Sequence, residues 1–72
     1  MQAEDIEFAT EWAKKALRLM ADRNITPSPD NYAVWFRYAS GQTPELTQEI
    51  DRRIAQNQPL DANVTASLQE KF

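Results

Sequence analysis

Seventy-two residues with a net charge of −3, no cysteine and no histidine make room for one domain, residues 1–72, and close the usual routes to stabilising it. Disulfides, thiolate ligands and imidazole ligands are all removed, and a chain this short hides only about 60% of its unfolded surface, so oligomerisation or attachment to a larger protein remains. The eight basic residues are scattered; with no cluster to neutralise phosphates, nucleic-acid binding is excluded as an expectation.

One glycine and four prolines punctuate the chain into four predicted helices, over about residues 4–22, 29–40, 44–56 and 61–71. The first carries Glu4, Asp5, Glu7 and Glu11 early and Lys14, Lys15 and Arg18 late, an order that complements the helix dipole. Ile6, Ala13, Leu17 and Met20 form one ridge on its wheel. Phe8, Trp12 and Leu19 form a second, with Ala9 and Ala16 in the furrow between. This apolar arc covers about half the helix, wider than the stripe of roughly 100° that one core requires, so the helix is expected to pack on two sides.

Ile25-Thr26-Pro27-Ser28-Pro29 is stiff and non-helical, because each proline pushes its predecessor out of the helical region. Ser28 is an N-cap with Pro29 at the first helical position, and Gly41 supplies a left-handed stop. Between them Tyr32, Trp35, Phe36 and Ala39 share a face that Val34 and Tyr38 extend to one side. Thr43-Pro44-Glu45 repeats the cap-and-proline start for the third helix, whose stripe is Leu46, Ile50 and Ile54. Asn57-Gln58-Pro59 breaks it, and Asp61 caps a fourth segment carrying Val64, Leu68 and Phe72. The expected class is all-α, a small compact four-helix domain that dimerises through its first two helices.

Chemistry is sparse. Without histidine, no carboxylate or lysine stands beside a hydroxyl in a recognisable nucleophilic motif. The pairs Glu7/Glu11 and Glu45/Glu49 could serve acid–base work or hold a divalent ion, but beside basic neighbours they read as wet helix surface. Gly41 alone cannot build a phosphate-cradling loop. No catalytic residue, metal ligand or cofactor is expected. A helix-turn-helix reading fails on Glu45, Glu49 and Asp51 in the third helix. No run of about twenty apolar residues spans a membrane, and the acidic start is unlike a secretory signal. Asn63-Val64-Thr65 matches a glycosylation pattern, read as chance without an export signal. Cysteine-free composition fits a cytoplasmic location.

The dense aromatic cluster remains. Tyr32, Trp35 and Phe36 are expected in the core with Ile6, Ala13, Leu17, Met20, Leu46, Ile50, Ile54 and Leu68. Phe8, Trp12, Val34 and Tyr38 are harder to absorb into one small core and, with Leu19, form a candidate protein interface, since aromatics supply much of the energy of protein contacts.

The run from Ile25 to Gly41, ITPSPDNYAVWFRYASG, followed by Pro44-Glu45-Leu46 and Ile50-Asp51 and preceded by Ala16-Leu17 and Met20, resembles the amino-terminal helical segment ahead of the cyclase domain in some bacterial diguanylate cyclases of the GGDEF family. The resemblance covers about residues 16 to 72. It implies an accessory role: these enzymes join two GTP molecules into cyclic di-GMP, one held by each of two cyclase domains, and a helical domain can control that pairing. No Gly-Gly-Asp-Glu-Phe stretch is present, so no catalytic or nucleotide-binding residue carries over, and the chain reads as a domain excised from a longer protein. Expected partners are a second copy and a carboxy-terminal cyclase domain. An alternative is a hetero-interaction module that docks a sensor or localisation partner through the aromatic second helix. A small-molecule sensor ranks last, since a pocket of several hundred Å3 leaves little core in so short a chain.

Overall fold

Four α-helices follow one another in the computed structural model: α1 (Ala3–Asp22), α2 (Pro29–Ser40), α3 (Pro44–Ala55) and α4 (Ala62–Lys71). The structure describes residues 3–72, with side chains from Ile6 onward; the early acids Glu4 and Asp5 therefore have side chains outside the described residues. The fold is all-α, and no described helix is long and apolar enough to cross a membrane.

Caps and left-handed residues set the ends. Ser28 Oγ accepts the Asn31 N–H at 3.3 Å, Pro29 opens α2, and Asp61 Oδ1 accepts the Val64 N–H at 2.9 Å. Thr43 also occupies an N-cap, but its hydroxyl makes no cap bond. That oxygen instead accepts from Arg37 Nε and Nη2, at 3.2 and 3.0 Å, so the expected cap is spent on tying α2 to the start of α3.

Three helices stop in the same way. Asn24 (φ 55°), Gly41 (φ 70°) and Asn57 (φ 56°) are left-handed. After each, the next residue's N–H reaches back five residues: Ile25 to Met20 at 2.9 Å, Gln42 to Arg37 at 3.3 Å, Gln58 to Arg53 at 2.8 Å. The left-handed residue's own N–H closes the inner bond, to Ala21, Tyr38 and Ile54 respectively. This is the Schellman arrangement, which satisfies carbonyls that a helix end otherwise leaves bare. At α1 the hydrophobic contact that accompanies it is between Met20 and Ile25, both buried.

α2 packs against each of the other helices, most extensively against α1. Trp35 is fully buried, surrounded by a core of Ala16, Met20, Ile25, Val34, Leu46, Ile50, Leu60 and Leu68. Its indole Nε1–H donates to Thr65 Oγ1 at 3.1 Å, and that hydroxyl donates to the Asp61 carbonyl at 3.0 Å. The buried donor thus has a partner, as burial of a polar group requires.

Several expected placements are corrected. On α1 the line turned inward is the furrow: Ala16 and Met20 are buried, flanked by Ala9, Trp12, Ala13 and Leu19 at intermediate exposure. Ile6 and Leu17, assigned to the core, are 51% and 46% exposed. They lie about 80° and 100° round the helix from Ala16, so a core centred on the alanine cannot reach them. Ile54 is 42% exposed. Each step of four residues turns about 40° past a full circle, so the stripe that begins at Leu46 and Ile50 has rotated off the core by Ile54. Val34, assigned to an interface, is 1% exposed, because α2 lies amid three neighbours that cover its flanks as well as its face.

Candidate interaction surface

The aromatic side chains form a row from the core to the surface. Tyr32 and Phe36 sit one turn apart on α2, ring centroids 5.7 Å apart. Phe36 meets Trp12 of α1 edge-on at 6.2 Å, and Trp12 stacks with Phe8, one turn earlier, at 6.0 Å. Exposure rises along the row: Tyr32, Phe36 and Trp12 are half-buried, while Phe8 is 59% exposed. The cause is length. At 1.5 Å per residue α1 measures about 30 Å and α2 about 18 Å, so the first turns of α1 have little of α2 to lie against.

On the flank of α1 that carries Phe8, a shallow depression is walled by Trp12, Leu19 and Ala39, with the exposed Lys15 and Arg18 at its rim. Glu11, on the same flank, makes a loose pair with Lys14 at 3.6 Å, both side chains largely in water. Ile6 lies about 160° round the helix from Phe8, and the two border a second shallow depression with Glu7, Thr10 and Glu11.

Tyr38, the remaining candidate interface residue, is half-buried and tied down inside the chain. Its hydroxyl donates to Asp51 Oδ1 at 2.5 Å, and its ring meets Trp35 edge-on at 5.8 Å. Burial, then the Asp51 carboxylate as acceptor and as charge, push its hydroxyl up to about 12. Arg23, just past the end of α1, lies over the Trp35 ring at 5.4 Å from the centroid. Val34 and Tyr38 therefore belong to the packing of α2 on its neighbours, whereas Phe8, Trp12 and Leu19 share one flank of α1.

Of the acidic pairs, Glu49 bridges Arg52 at 2.6 Å and Arg53 at 2.8 Å. The Arg52 hydrogen bond, with Arg53 assisting, holds its carboxyl below the usual range, and Glu45 does not share the site. This is an ion-paired surface. Among the described residues no group of three acidic, histidine or cysteine side chains is gathered to hold a metal ion.

Thr65, Leu60 and Ile25 were not singled out by periodicity. Ile25 follows a left-handed asparagine, and Leu60 precedes an N-cap; both positions regularly carry an apolar residue that folds back on its helix.

Over 51 residues the chain is 35% identical to the diguanylate cyclase VdcA of Vibrio cholerae. The match takes in 71% of this chain and 15% of that protein. No family model matches, and no solved structure does.

Proposed function

We propose that the chain is a non-catalytic regulatory domain in cyclic di-GMP signalling, controlling the pairing of cyclase domains by pairing with a second copy of itself. The observation that carries this reading is the exposed end of the aromatic row, Phe8 stacked on Trp12, left in water by a domain too small to cover it. Large aromatic side chains cost most to leave wet and contribute most when two surfaces close. The similarity to part of a diguanylate cyclase supplies the context. An enzyme that needs two GTP-loaded domains face to face is controlled by whatever sets the distance between them. The helical domain contributes binding rather than chemistry in this reading: Glu49 is held between Arg52 and Arg53, and Asp51 accepts from the Tyr38 hydroxyl.

Absolute molar mass by light scattering, over about a hundredfold range of loading concentration, tests self-pairing. The expected mass approaches twice 8.3 kDa and falls on dilution. A mass that stays at 8.3 kDa throughout would overturn self-pairing and leave docking of a different protein as the reading.

A further inference from the structure

The exposed flank of α1 has an order that fits one occupant. Phe8, Trp12, Lys15 and Leu19 follow at spacings of four, three and four, the rhythm of a coiled-coil seam. Charge is segregated along the same helix, with Glu7 and Glu11 before its middle and Lys14, Lys15 and Arg18 after it. A surface whose two halves carry opposite charge is complementary to itself only when the second copy runs antiparallel.

We infer that α1 pairs with α1 of a second copy as a two-fold antiparallel seam centred between Trp12 and Lys15. This rests on the self-pairing proposed above and specifies its geometry. The two-fold axis sets Phe8 against Leu19 of the other copy and Trp12 against Lys15 of the other copy, each contact occurring twice. Phe8 then enters the depression walled by Trp12, Leu19 and Ala39, and exchanges water for apolar and aromatic contact. Lys15 lays its stem along the seam and its ammonium over the facing indole, a cation–π contact. Glu11 of each copy flanks Arg18 of the other. Its present partner Lys14, 3.6 Å away with both side chains largely exposed, holds it weakly enough to exchange. A parallel pairing would set Phe8 on Phe8 and Lys15 on Lys15, opposing like charges. The seam is four layers long, less than a standard interface, so the contact is expected to be weak and to loosen with salt.

Charge reversal provides the test. Glu11→Arg and Arg18→Glu, each alone, place like charges opposite one another twice and are expected to weaken self-association about tenfold in sedimentation equilibrium. Their equimolar mixture, and the double variant E11R/R18E, restore opposite charges at both places and are expected to recover wild-type affinity. Leu17→Glu, on the opposite flank, should leave affinity unchanged. Circular dichroism at the lowest concentration checks that each variant remains folded. If the wild type associates but neither single reversal weakens it, or the mixture fails to recover, the seam is wrong while self-pairing stands. If Leu17→Glu dissociates the pair, the contact lies on the Ile6 flank and the seam is again overturned. A wild type that is monomeric throughout overturns both.

Discussion

Trp35 is the residue on which the fold turns, and its demand for a hydrogen-bond partner is met by Thr65 thirty residues later. Replacing Thr65 with valine keeps the shape and strands the buried indole N–H. The expected loss is about 1–3 kcal/mol, seen as a lower urea midpoint at unchanged slope. In the Trp35→Phe background the same threonine change should cost less, because the donor is already gone. Thr65 was hard to see in the sequence because a wheel counts apolar residues, and it lies beside Val64 and one turn before Leu68 as a polar neighbour. The signal lay in the tryptophan: a buried indole needs an acceptor, and Thr65 has a hydroxyl near the Leu68 face. Tyr38 offers a second test. Its folded pKa of about 12 exceeds the ordinary value of 10, so the folded state holds the proton more tightly than the unfolded one. The neutral hydroxyl, favoured first by burial and then by its bond to Asp51, therefore contributes its full stability below pH 10 and loses it as pH rises from 10 towards 12. The stability difference between wild type and Tyr38→Phe, measured by urea unfolding, should shrink across that window; a constant difference would mean that the proton plays no part.

At the level of elements, helix ends were more legible than helix faces. Proline and glycine act through backbone sterics, which neighbours cannot override, so Ser28-Pro29 and Gly41 could be read directly. Asn24 and Asn57 use the same left-handed geometry at somewhat greater cost, and asparagine occurs in too many other settings to announce it. Gly41→Ala is expected to destabilise by about 1 kcal/mol, purely through φ, since an added Cβ would meet nothing within 4 Å. Asn24→Gly should be neutral or slightly stabilising, by less than about 1 kcal/mol; thermal unfolding separates the two. Faces misled because size was weighed as inwardness. The large ridges of α1 looked like its core face, yet Ala16 is the residue at 0% exposure, because only a small side chain lets α1 approach a helix that carries Trp35. The same preference for bulk placed Ile6 and Leu17 in the core, and it hid the division of α1 into one packed furrow and two wet flanks.

For the whole molecule, α2 is the shared partner of the other three helices, so the fold should come apart in one step rather than helix by helix. A chain of this size has little stability to spare, and any contact made only by the folded state, such as pairing through α1, adds to it by mass action. The melting temperature is therefore expected to rise with protein concentration, by a few degrees across about a hundredfold range if pairing contributes on the order of 1 kcal/mol. Phe8→Glu separates this from intrinsic stability. Phe8 is 59% exposed, so its replacement removes little from the isolated fold, and the dilute melting temperature should barely move. The concentration dependence should disappear, because a carboxylate cannot enter the depression between Trp12, Leu19 and Ala39 without losing its water. Calorimetry on both chains at each end of the range decides the matter. Parallel rises in the two proteins would place the association elsewhere on the molecule, whereas a flat line for the variant beside a rising one for the wild type locates it at the open end of the aromatic row.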